Sequence, residues 1–190
     1  MKPIMISLFI IILNVSTFAT SYTITSGYFE TKTFKNSDTL IMTGGGGDSI
    51  LGKDNCVLDI KNTSSPYVSG VSGLGHINMD DNSRLYFSGG SLRSLDIVDD
   101  AFAVLSGGQI GKIVTYYPIS DQKHITIYCQ PGWTYQNYEF SGRWLDDTPF
   151  NIELASQYTS NVFDNITVIP EPATMLLLGM GGLWLRTHKQ

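Results

Sequence analysis

The sequence predicts an all-β fold: a short β-solenoid of about five coils with an 18-residue period and a strand-rich C-terminal cap. An N-terminal signal peptide and a C-terminal apolar helix flank it. Three observations carry this expectation. Composition favours strands and tight turns, with 19 Gly, 10 Tyr and only 15% charged residues in a chain of 190, against roughly 25% charged in an average soluble domain. Apolar residues alternate with a period of two inside short segments. Those segments recur at a fixed spacing over residues 20–116, as stacked repeats require.

Residues 1–19 open with Lys2 and run apolar from Ile4 to Val15, broken by Ser7 and Asn14. Small residues follow in Ser16-Thr17-Phe18-Ala19-Thr20-Ser21. A charged start, an apolar stretch of about a dozen residues and a small-residue exit describe a secretory signal peptide. The stretch is short of the ~20 residues that a spanning helix needs. Cleavage after Ala19 fits best, with Ser21 as second choice.

Residues 20–116 hold the repeat. Asn82–Gly90 aligns with Asp100–Gly108 at an offset of 18, and the full register runs 18, 18, 27, 18. The long unit carries an insertion around Ser64–Ser72. One apolar column is Tyr22, Leu40, Leu58, Leu85 and Ala103, flanked two residues on by Ile24, Met42, Ile60, Phe87 and Leu105. A second is Ile50, Ile77, Leu95 and Ile113, preceded by Leu74, Leu92 and Ile110. The corners fall in register as well: Asn36, Asp54, Asp81 and Asp99 share one column, and Gly-Gly pairs at 44–45, 89–90 and 107–108 mark another. Asn and Asp bond their own backbone in tight turns, and Gly adopts positive φ without steric cost.

After Tyr116 the register is lost. His124–Tyr128 alternates as a strand, Phe140–Leu145 leads through the turn Asp146-Asp147-Thr148-Pro149 into Phe150–Leu154, and Asn165–Val168 is a last strand. Residues 117–168 therefore read as a β cap closing the open end of the stack.

The C-terminal 169–190 has three parts: Pro170-Glu171-Pro172, an uncharged run from Ala173 to Leu185, and the basic residues Arg186 and Lys189. Two prolines around an acid enforce an extended segment. An apolar helix carrying Leu176, Leu177, Leu178, Leu183, Trp184 and Leu185 and ending in cations is a stop-transfer arrangement. This end resembles the PEP-CTERM sorting signal of exported bacterial proteins. It departs from that pattern in a short helix and in cations split by Thr187-His188 rather than an Arg run. The resemblance implies an exosortase-type membrane transpeptidase as partner and a transiently membrane-inserted precursor. It also implies a mature form at the cell surface or outside the cell. The whole chain resembles small secreted β-solenoid proteins that carry such signals.

Little else in the sequence marks chemistry. A net charge of −5 without clustered Lys and Arg excludes a nucleic-acid partner. Cys56 and Cys129 have neither zinc spacing nor disulfide-scaffold density, and whether they pair after export stays open. The corner acids Asp54, Asp81 and Asp99 would stack at the ~4.8 Å rung spacing, as turn chemistry or as a calcium column. Gly44-Gly45-Gly46-Gly47-Asp48-Ser49 grazes a calcium nonapeptide, but no other unit repeats it. Asp48, Asp59 and Asp96 do not align at 18, and His76, His124 and His188 are scattered, so no catalytic residues, cofactor or metal are assigned and no enzyme activity is expected. The aromatics Trp133, Tyr135, Tyr138 and Trp144, with Tyr116 and Tyr117 nearby, form a candidate ligand face for an extracellular polysaccharide. The functional reading is a non-enzymatic, exported surface or matrix protein. The alternative is a secreted carbohydrate-binding module or a carbohydrate-active β-helix enzyme.

Overall fold

The computed structural model describes residues 19–70, 72–115, 123–156 and 161–170. The expected signal peptide, Tyr116 and Tyr117, and the segment from Glu171 onward lie outside these residues, apart from Ala19. In chain order the strands are β1 (Ser21–Ile24), β2 (Tyr28–Phe34), β3 (Thr39–Met42), β4 (Gly46–Gly52), β5 (Val57–Ile60), β6 (Leu74–Met79), β7 (Arg84–Phe87) and β8 (Ser91–Ile97). They continue as β9 (Phe102–Leu105), β10 (Gln109–Thr115), β11 (Ile125–Cys129), β12 (Thr134–Gln136), β13 (Glu139–Arg143), β14 (Pro149–Ser156) and β15 (Ile166–Pro170). The protein is all-β.

The chain alternates between two sheets. One has the order β1-β3-β5-β7-β9-β11-β15; the other has the order β12-β13-β14-β10-β8-β6-β4-β2. Pairing is parallel throughout the first sheet and from β2 to β14 in the second. Thr39 pairs with Val57 and Arg84 with Phe102, each 18 residues on, whereas Val57 pairs with Arg84, 27 residues on. Leu40, Leu58, Leu85 and Ala103 are successive register partners, and all four are fully buried. Ile50, Ile77, Leu95 and Ile113 form the corresponding line in the second sheet, also fully buried. Side chains from both sheets form one apolar cluster.

Between the flanking inward residues Leu92 and Leu95, β8 turns both Arg93 and Ser94 away from the core. The corners explain the polar columns. Asn36, Asp54, Asp81 and Asp99 all adopt left-handed backbone, with φ between 52° and 57°. Asn and Asp tolerate this conformation because their short side chains bond locally. The second glycine of each Gly-Gly pair, at 45, 90 and 108, is left-handed as well. A Cβ on Gly90 would also stand 2.2 Å from the Thr63 amide nitrogen, so glycine is required there twice over.

The stack ends differently at its two faces. At the N-terminal end Lys32 occupies the line that Ile50 continues, with its ammonium 5.8 Å from the Phe29 ring centre. The Tyr22 ring packs edge-on against Phe34 at 5.2 Å. A charge at an inward position of a terminal strand discourages edge-to-edge association.

The C-terminal end corrects the expected cap. Ile125 pairs with Ala103, Ile166 with Ile125 and Glu153 with Lys112, all in parallel register. Strands β11, β14 and β15 thus extend the same two sheets, and only β12 and β13 add antiparallel pairs. Alternation within a strand reads the same whichever direction its partner runs, so the sequence pattern left this undecided. Trp144, Phe140 and Phe150 fill this end of the core.

Replacing Leu85 with Asp would place an unpaired carboxylate between two fully buried neighbours. The expected loss is on the order of 4 kcal/mol or more, read as an unfolded or strongly destabilised protein in thermal denaturation by circular dichroism.

Candidate functional site

A groove of about 810 Å³ lies on the outer face of the second sheet. Its lining comes from β4, β6, β8, β10 and β14, with Tyr67 of the inserted loop as one wall. A smaller cavity of about 390 Å³ shares Tyr67, Arg93 and Gly111 with it and adds Pro149, Phe150 and Asn151. The groove is therefore walled by the inserted loop on one side and runs across the sheet to β14 on the other.

Three carboxylates face the groove, and each is engaged. Asp48 accepts a short hydrogen bond from the Tyr28 hydroxyl, which itself accepts from the Gly70 amide at 2.9 Å. Burial, together with that carboxylate, pushes the Tyr28 phenol above its ordinary pKa. Asp96, whose side chain is 7% exposed, lies 3.1 Å from His76 Nε2 and accepts from Ser94 Oγ at 3.1 Å. Glu153 pairs with Lys112 at 3.1 Å. His76 and Ser94 are register neighbours, so folding assembles a Ser–His–Asp set that sequence spacing did not reveal. The hydroxyl donates to the acid rather than to the imidazole, so the three groups do not stand in the serine-to-histidine-to-acid order of a catalytic triad. The Arg93 side chain, by contrast, is exposed and makes no ion pair or hydrogen bond among the described residues.

The four aromatics expected to form a ligand face do not share one. Trp144 is fully buried and donates its indole N–H to the Gly108 carbonyl at 2.8 Å. Tyr135 stacks on Phe163 at 4.5 Å and donates to Asn161 at 2.7 Å. Trp133 packs against Phe140 and Phe163. Tyr138 alone of the four is open, at 69%. Closing the end of a small core requires large apolar area, and these rings supply it.

The sorting residues begin on the last strand. In β15, Ile169 stands opposite Tyr128 and Pro170 opposite Cys129. Proline has no N–H to extend the ladder, so pairing stops where the Pro-Glu-Pro sequence starts. The family model for the PEP-CTERM protein-sorting motif matches residues 168–186. The chain carries a PEP-CTERM sorting signal. No curated protein and no solved structure matches the chain significantly. Such a signal implies an exported protein with a membrane-anchored precursor, sorted by an exosortase. Among the described residues no helix is long and apolar enough to cross a membrane; the expected helix and its flanking Glu171, Pro172, Arg186 and Lys189 lie beyond them.

Elsewhere in the chain, both cysteines are free and buried. Burial pushes the Cys56 thiol up to about 11 and the Cys129 thiol above its usual value, which makes both poor nucleophiles. The corner acids form a ladder: Asp54 accepts from the Asn36 amide at 2.9 Å, and Asp81 from the Asp54 amide at 3.1 Å. Asp80, Asp81 and Asp99 each place an oxygen within 4.8 Å of the others. Burial and the contact with Asp99 raise the Asp80 pKa. A raised pKa in the folded state means that acid pH favours folding at this group. The contribution is lost as pH rises through the folded value, leaving like charges in contact at neutral pH. Asp99→Asn should therefore raise the melting temperature at pH 7, and the gain should vanish below about pH 4. Melting curves at the two pH values check this.

Proposed function

We propose that the protein is a non-enzymatic component of the cell surface or extracellular matrix, whose body is a short β-solenoid displayed by exosortase processing. The observation that carries this reading is the placement of the signal. Every described strand but β15 precedes the matched motif at 168–186, and β15 overlaps it only from Val168 to Pro170. Cutting near the motif would release a body with both sheets intact. The 13 residues from Ala173 to Leu185, as a helix, span about 20 Å against a hydrocarbon core of roughly 30 Å. An anchor that short suits a transient intermediate better than a permanent one. The engagement of Asp48, Asp96 and Glu153 with partners supports a non-catalytic groove.

The alternative, a carbohydrate-binding role, is favoured by the groove and not by the cap aromatics, whose rings are largely committed to the core. A carbohydrate-active enzyme is the weaker variant, because Ser94 is not aimed at His76. Turnover of any member of a polysaccharide panel by the purified protein would overturn the non-enzymatic reading.

Mass spectrometry of the mature protein from its native host should find neither the N-terminal 19 residues nor the C-terminal helix. Changing Pro170, Glu171 and Pro172 together to Ala should retain the uncut form in the membrane fraction. Recovery of released protein still ending at Gln190, from cells that make the sorting enzyme, would sink the processing scheme.

A further inference from the structure

We propose that the groove on the second sheet binds an acidic glycan, a chain bearing uronate carboxylates, with Arg93 as the carboxylate receptor. The choice of a glycan rests on the exported location proposed above; the site itself rests on geometry. Arg93 lies level with Gly75 on one flanking strand and Gly111 on the other, because Leu92 and Ser94 on either side of it pair with Leu74 and His76 and with Ile110 and Lys112. A Cβ at Gly75 would stand 2.5 Å from the Asp48 carbonyl oxygen and 2.9 Å from the Tyr67 hydroxyl. One at Gly111 would stand 2.8 Å from the Arg93 carbonyl oxygen. No side chain can therefore flank Arg93 on either neighbouring strand. It also sits where the larger groove meets the smaller one.

Charge decides the kind of anion. The groove's acids are each held by Tyr28, by His76 and Ser94, or by Lys112, while the Arg93 guanidinium is uncommitted among the described residues. A guanidinium matches a planar carboxylate with two parallel hydrogen bonds. Three carboxylates nearby would repel a doubly charged phosphate more strongly than a singly charged carboxylate.

The lining selects a hydroxyl-rich chain over a peptide. Strands β6, β8 and β10 are paired on both sides, so no strand edge is open in the groove for a peptide to extend. Lys112 donates and Glu153 accepts, and with the Ser94 proton and His76 Nε2 on Asp96, Ser94 Oγ as an acceptor and His76 Nδ1 are left to meet ligand hydroxyls, with the Tyr67 ring along one wall.

The test uses mature protein purified from the exported fraction and titrated calorimetrically with oligomers of galacturonate, glucuronate and mannuronate. Controls are the corresponding methyl esters and a poly-aspartate peptide. At least one uronate oligomer should bind, its ester at least about tenfold more weakly, and Arg93→Gln should cost about tenfold or more. Arg93→Gln should leave the melting temperature unchanged, since the side chain is exposed and has no ion pair or hydrogen bond among the described residues, and Tyr138→Ala should leave affinity unchanged. The proposal is overturned if none of the three oligomers binds. It is equally overturned if ester and acid bind alike, if Arg93→Gln binds normally, or if poly-aspartate binds as tightly as the glycans. A failure here leaves the processing scheme standing, because that scheme is read from the mature termini.

Discussion

Each turn of this chain carries inward side chains that it cannot bury by itself, and the neighbouring turn must cover them. Leu58 is fully buried because Leu40 lies on one side and Leu85 on the other. That dependence makes register the governing quantity: a slip of one residue would turn every inward side chain to solvent. The left-handed Asn and Asp corners and the left-handed glycines follow from it, since they return the chain to the same height on each pass. The ends must also be managed, because no further turn covers them. Lys32 with the Tyr22–Phe34 pair does so at one end, and the Trp144, Phe140 and Phe150 cluster at the other.

Strict repetition leaves the outer faces featureless, so departures from it are where a site can be built. The inserted loop brings Tyr67 over the second sheet, with its amide bonded to Ser91 Oγ at 3.1 Å. The β12–β13 hairpin is threaded into the last turn, yet β14 still returns in parallel register beside β10. The groove lies beneath the inserted loop and extends across the sheet to β14. Loops and interruptions on a rigid scaffold are the usual location for recognition.

The sorting signal obeys a different logic. Its parts act by local chemistry: prolines that forbid helix and ladder, an apolar run, and basic residues after it. None of these depends on the two sheets, which is why the signal can be read without knowing the fold. The body joins it through a single edge strand, β15, in which Pro170 closes the ladder.

The sequence alone determined the features that repeat along the chain or act locally. The inward columns through Leu40, Leu58, Leu85 and Ala103, the corner positions, the insertion and the sorting signal are all visible as spacing, because repetition writes the same contact many times over. The tertiary structure decided what depends on contacts made once. It built the expected β cap largely from further strands of the same sheets and placed Trp144 in the core rather than on a ligand face. It also brought His76, Ser94 and Asp96 together from two strands and set Arg93 between two glycines on the neighbouring strands. Single contacts between distant residues leave no period in a sequence, so they become visible only once the strands are stacked.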